Sequence, residues 1–160
     1  MPTIDNQLQK YTMITEFYDY LDSEDRTRFF FVSEGKQGKI IKMVLFTHLR
    51  DNLWNLGFGD LHKGQIDDSI ISNNHDIVKL IGTITKIIYD FSDTFPLRRI
   101  EINPIDEKRK RLYHHVFRRN YDTINADFQV KGVYKGKDDE EDYSQEKIYD
   151  FFRLKRKFVQ

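Results

Sequence analysis

The chain has 160 residues, and its 26 Lys and Arg balance 26 Asp and Glu, so no global field drives it onto nucleic acid or anionic lipid. Hydrophobic residues make up 39% and aromatic residues 14%, a load of rings that argues against disorder and is enough for one core. The absence of cysteine excludes disulfides, thiolate-bound zinc and a thiol nucleophile, and a reducing, cytoplasmic setting is the matching expectation.

The opening MPTIDNQLQKY has neither a basic nor an apolar leader region, so no signal peptide is expected. Residues 1–10 carry no period and are expected to fray. Thr12–Tyr18 is rich in β-formers, and Asp22-Ser23-Glu24-Asp25 reads as a polar turn. Arg28–Ser33 (RFFFVS) reads as a strand covered on both faces. Gly35 and Gly38 bracket a hairpin turn by supplying positive φ. Lys39–His48 follows, with Ile41, Met43 and Leu45 on one face and Ile40, Val44 and Phe46 on the other. Arg50-Asp51-Asn52 turns the chain into a fourth strand, Leu53–Phe58.

After a polar loop over Gly59–Asn74 the period changes from 2 to 3.6. Ile77, Ile81, Ile84, Ile88, Phe91 and Phe95 form the stripe of a long helix, capped by Ser72, Asn73 or Asn74 and stopped by Pro96. Lys79, Lys86 and Asp90 interrupt this apolar stretch, which excludes a spanning helix and predicts a soluble protein with no membrane partner. Leu97–Asn103 alternates as a fifth strand. Asp106 caps a second helix that buries Leu112, Tyr113, Val116 and Phe117 and ends near Asn120. Phe128–Tyr134 is a sixth strand and Asp138–Asp142 a solvated loop, part of an acidic loop over 136–146. Ile148–Val159 fits helix or strand; its rings and the alternation of Phe152 and Leu154 with Arg153 and Lys155 favour a strand.

The expected fold is α+β in one domain spanning 1–160. A curved, mixed, mostly antiparallel sheet of about six to seven strands carries two main helices in the order β-β-β-β-α-β-α-β-β. The crossover from the fourth to the fifth strand is right-handed and parallel, which leaves a switch point where ligands sit in open sheets.

The segments FFFVSEG–GKI, LGFGD, DDSIISNNHD, FPLRRIEI, RKRLYHHVFRRN and YDFFRLKRKF together resemble a family of small bacterial proteins of unknown function, over about residues 27–157. The most specific pieces are DDxxxSNNxD (Asp67–Asp76) and RxRLY (Arg109–Tyr113). Before the basic helix the chain reads Asn103-Pro104-Ile105-Asp106, where that family tends to a Gly–Ser/Thr turn. The element order also resembles the GCN5-related N-acetyltransferase fold. That resemblance implies acetyl-coenzyme A as cofactor and Tyr113 as the acid that protonates the departing thiolate. The phosphate-cradling (Arg/Gln)-x-x-Gly-x-(Gly/Ala) turn of that family is absent. Gly64 is the lone glycine between Asp60 and the long helix, and Asp67, Asp68 and Asp76 stand where a polyanion would approach.

Asp60, His62, Asp67, Asp68, Asn73, Asn74, His75 and Asp76 form the densest run of convergent polar groups. They suit a hard cation or a ligand bearing hydroxyl or amine groups, or else they cap the helix and hold turns. No ligand spacing sharpens the cation reading, so no metal site is assigned. Residues 98–119 hold eight Lys and Arg against three Asp and Glu, while 138–150 hold seven Asp and Glu against one Lys. Mutual neutralisation of the two is favoured over nucleic-acid binding by helix 108–119. Arg109 and Arg111 lie two apart and cannot share a helix face, so one of them turns inward.

The expectation is therefore a domain that binds a small molecule or a protein partner on an acetyltransferase-like sheet. Asp60, Asp68, Asn73, Asn74, Asp76, Arg109 and Arg111 are its binding residues, meeting at the switch point. The alternative is an N-acyltransferase using acetyl-coenzyme A with Tyr113 as acid. Nucleic-acid binding and a metal hydrolase at Asp60, Asp67 or Asp68 follow behind, and a homodimer is compatible with the sequence.

Overall fold

The aromatic run after Arg28 and the turn at Gly35–Gly38 set up a long hairpin, and a computed structural model, which describes residues 16–67, 75–137 and 139–158, shows how it is used. The described residues form two compact units: 16–47 with 56–94, and 48–55 with 95–158. The fold class is α+β, with a mixed, largely antiparallel sheet that does not close.

In the first unit, β1 (Leu21–Asp22) pairs with β2 (Arg28–Gly35), and β2 pairs along its length with β3 (Gly38–Arg50). The register Phe29↔Val44, Phe31↔Lys42, Ser33↔Ile40 puts these six residues on one face of the sheet. Of the two bracketing glycines, Gly38 alone takes a positive φ, 86°. The expected strand over Thr12–Tyr18 is corrected where it is described: 16–20 lie in no strand, because the segment is bound to a helix instead. The Tyr18 N–H donates to Thr83 Oγ1 at 2.9 Å, and a Cβ on Gly82 would stand 2.0 Å from the Glu16 carbonyl oxygen.

That helix, α1 (Ile77–Thr94), stops short of Pro96 as expected. Its buried side runs through Leu80, Thr83, Ile87 and Phe91, whereas Ile77 is half exposed and Ile81 and Ile84 are half-buried. The burying face is thus rotated from the isoleucine stripe, because the small Gly82 and Thr83 admit residues 16–18 and Phe91 stacks on Phe46 at 3.8 Å between ring centroids. The expected caps Ser72, Asn73 and Asn74 and the fraying segment 1–10 lie outside the described residues. The loop expected over 59–74 is corrected where it is described, over 59–67. β4 (Leu53–His62) runs on to His62 and folds back as β5 (Gln65–Asp67) through Lys63 and Gly64, both at positive φ, the turn a two-residue hairpin demands.

In the second unit the strand order is β6 (Arg99–Ile102), β9 (Phe151–Arg156), β7 (Phe128–Val133), β8 (Glu140–Asp142). α2 (Glu107–Arg119) begins at Asp106, whose carboxylate accepts the Arg109 N–H at 2.8 Å as the sequence predicts. It is followed by a helix missed in the sequence, α3 (Tyr121–Asp127), whose Ile124 N–H bonds the Asn120 carbonyl; Thr123 and Ile124, both β-branched, hid it. α2 buries Arg109, His114 and Phe117, while Leu112, Tyr113 and Val116 are half-buried. Phe117 stacks on Phe152 at 4.3 Å.

Two corrections fall at the end of the chain. The final strand is only Phe151–Arg156, because Tyr149 leaves the ladder to fill the space over Gly132, where a Cβ would meet its ring at 2.3 Å. Glu140–Asp142 is not a solvated loop but strand β8, paired with Lys131–Val133. It is drawn in because Glu140 meets the guanidinium groups of Arg99 and Arg153 at 2.6 and 3.0 Å.

Candidate functional site

On the inner face of β2 and β3 two residues break the apolar pattern, Ser33 and Lys42, and both are fully buried. Lys42 carries its ammonium into the unit because Asp60 on β4 meets it in an ion pair. Phe58 lies 5.9 Å from the same ammonium and stacks on Phe31, which in turn stacks on Tyr18. Lysine, rings and carboxylate thus form one wall.

Beside it, Asp76 precedes the first turn of α1. Its Oδ2 accepts from the Ser33 hydroxyl at 2.5 Å and from the Tyr18 hydroxyl at 2.7 Å. Tyr18 also accepts the Glu34 N–H at 3.0 Å. The other oxygen, Oδ1, is buried with no hydrogen-bond partner among the described residues. A buried carboxylate oxygen left without a donor is costly, on the order of 1–3 kcal/mol, so its retention calls for an explanation. Burial, and then the hydrogen bond to Asp76, push the Tyr18 phenol above the ordinary tyrosine value, so it donates a proton and does not ionise near neutrality.

Tyr18 is also part of the wall of a cavity of about 500 Å³. Phe17, Phe31, Val32 and Ile41 give it an apolar body, and Asp19, Glu34 and Lys79 give it three charges. The Lys79 ammonium sits 4.3 Å from the centroid of the Tyr18 ring. Volume, apolar lining and a few convergent polar groups are what small-molecule sites share.

Of the residues expected at the site, Asp60 and Asp76 belong to this first unit. Asp68, Asn73 and Asn74 lie outside the described residues. Arg109, Arg111 and Tyr113 belong to the second unit. Arg109 is the arginine that turns inward, 6% exposed, with Asp106 at 3.9 Å; Arg111 faces solvent. Tyr113 is half-buried, and burial raises its phenol while the Arg109 charge opposes the rise. Mutual neutralisation of the basic and acidic segments is seen in part. Asp150 pairs with Lys110 of α2 at 2.7 Å and Glu140 with Arg99 at 2.6 Å, but Glu140, Glu141 and Asp142 also take Arg153, Lys147 and Lys131, which lie outside the basic segment.

Sequence reasoning missed Tyr18, Ser33, Lys42 and Lys79. The signal existed for two of them, a serine and a lysine at inward positions of otherwise apolar strands. Among the described residues no cluster of three or more His, Asp or Glu is arranged to hold a metal ion, and no helix is long and apolar enough to cross a membrane. No curated protein and no solved structure matches the chain. A family model does, over residues 14–157 and so over almost the whole length: the chain belongs to DUF6934, a family of unknown function.

Proposed function

We propose that the protein is a ligand-binding domain whose site is the cavity of the first unit. Phe17, Phe31, Val32 and Ile41 hold the apolar body of a small molecule. Glu34, Tyr18 and, behind Tyr18, Asp76 attract a donor-bearing head, an amine or a hydroxyl. The observation that carries this reading is the half-buried Asp76, whose buried Oδ1 has no partner among the described residues while Oδ2 is tied to a tyrosine of the cavity wall. Asp60 contributes indirectly, by holding Lys42 beneath the rings.

Amide shifts on titration with tyramine, tyrosol and 4-hydroxyphenylacetate test it, since the three share a ring and differ in the head. Tyramine is expected to move Tyr18, Val32 and Lys79 at the lowest concentration, and Asp76→Asn to weaken it about tenfold. Silence of these residues at millimolar concentrations of all three, or the acid binding best, overturns the reading.

A second reading, acyl transfer from acetyl-coenzyme A, is supported by Tyr113. Its raised phenol keeps its proton at neutral pH, as an acid serving a leaving thiolate must. Calorimetry with millimolar acetyl-coenzyme A decides: absence of heat removes this reading and leaves the first intact.

A further inference from the structure

Helical spacing gathers Glu107, Arg111, His114, His115 and Arg118 along one side of α2, where with Lys110 they line a cleft of about 410 Å³ in the second unit. Lys110 is committed to Asp150 at 2.7 Å, but Arg111 and Arg118 form no ion pair among the described residues. His114 is 4% exposed, and its Nε2 donates to the Tyr149 carbonyl at 2.9 Å. That bond fixes the proton on Nε2 and leaves Nδ1 as an acceptor, buried and without a partner among the described residues. Burial, opposed by the Tyr149 carbonyl and assisted by the charges of Arg118 and Lys110, holds the imidazole below its ordinary value, so it stays neutral near pH 7.

The cleft therefore offers two guanidinium groups for negative oxygens and one buried lone pair that asks for a hydrogen. We propose that it binds a phosphate group that brings its own O–H, with Arg111 and Arg118 on the anionic oxygens and His114 Nδ1 accepting from P–OH. Nδ1 is shielded from water, so seating the ion parts the long side chains around it. Guanidinium forks match phosphate geometry. The acceptor supplies the selectivity: sulfate and a nucleic-acid phosphodiester carry no O–H at neutral pH and would leave Nδ1 unmet or force the imidazole to take up a proton.

The test uses the full chain, titrated with inorganic phosphate and, separately, sodium sulfate at neutral pH and low salt, and read by imidazole and arginine side-chain ¹⁵N resonances. Phosphate is expected to shift the His114 and Arg111 signals, and sulfate to bind about tenfold more weakly or worse. His114→Phe removes the acceptor, together with the donor to the Tyr149 carbonyl; in the folded variant it should erase the preference between the two ions. Arg111→Met, at an exposed position, should weaken both. Equal affinity for phosphate and sulfate in the unaltered protein, or no shift at tens of millimolar phosphate, overturns the proposal. An RNA oligonucleotide that moves the same signals at lower concentration than phosphate also overturns it, in favour of nucleic-acid binding.

Discussion

Glu140 in the second unit meets guanidinium on two sides, Arg99 at 2.6 and 2.7 Å and Arg153 at 3.0 Å, and Arg153 also reaches Glu101 at 3.1 Å. Asp76 in the first unit has two hydroxyls on one oxygen and, among the described residues, nothing on the other. Each unit takes carboxylates out of water, but the network around Arg153 closes on itself and the one around Tyr18 stops at a cavity wall. A saturated network rigidifies a fold, whereas a half-saturated one costs stability unless something else completes it. The contrast separates scaffold from site more sharply than the density of charge along the chain does.

The largest expected effect comes from breaking the ion pair of Lys42, a fully buried cation of the first unit. Asp60→Asn leaves the Lys42 ammonium in place without its carboxylate and should lower stability by about 3–5 kcal/mol, read by urea unfolding. Lys42→Met with Asp60→Asn in one chain should recover most of that loss, since the pair is replaced by groups that need no counter-charge. A single substitution within experimental error of the unaltered protein would show that water reaches Lys42. In the second unit the comparable weak point is steric. Gly132→Ala puts a methyl into the Tyr149 ring and should cost about 1–3 kcal/mol, with the largest loss of amide protection expected in β7 and β9.

These two positions also show what sequence reasoning reached. Hairpin spacing found β2, β3 and β4, and the 3.6 period found α1 and α2, because those signals are carried by many residues at once. The Asp106 cap was legible because N-capping is local. The burial of Lys42 was not, since its reason is Asp60, eighteen residues on and on another strand. Gly132 and Tyr149 escaped for the same reason: a glycine in a strand says that something comes close, and not what. Within the candidate site, Asp60 and Asp76 were singled out from the density of polar residues around them. Tyr18, which ties Asp76 to the cavity, sits in a segment that reads as a strand and is held by the side of a helix instead.

A smaller effect is expected where the two networks differ most in design. Asp76→Asn keeps an acceptor for Ser33 and Tyr18 and places an amide where Oδ1 finds no donor among the described residues. Stability of the ligand-free protein should therefore change by no more than about 1 kcal/mol in either direction, while tyramine binding falls. Loss of several kcal/mol, measured by thermal unfolding, would make Asp76 a structural anchor like Glu140 and dissolve the contrast.

Acid resolves the units by sign. Burial alone would raise Glu140, but hydrogen bonds from Arg99 and Arg153 outweigh it and hold the carboxyl below its ordinary value of 4.5. The Lys110 ammonium and the Lys135 N–H likewise hold Asp150 below 3.8. For such groups the unfolded chain takes up protons first, so their contribution is complete above the ordinary value and is lost as pH falls through the depressed one. Asp90 on α1 runs the other way: burial, and then the nearby charge of Asp93, raise its carboxyl, so the folded chain takes up the proton first. Its contribution grows as pH falls through the raised value, and its neighbour Tyr20, whose hydroxyl already donates to it, keeps the segment before β1 in place. Hydrogen exchange followed from neutral pH down through the carboxylate range should therefore show β7, β8 and β9 losing protection while α1 around Asp90 holds its own. Parallel loss in both places would mean that the charge network of the second unit contributes no more to stability than ordinary surface pairs.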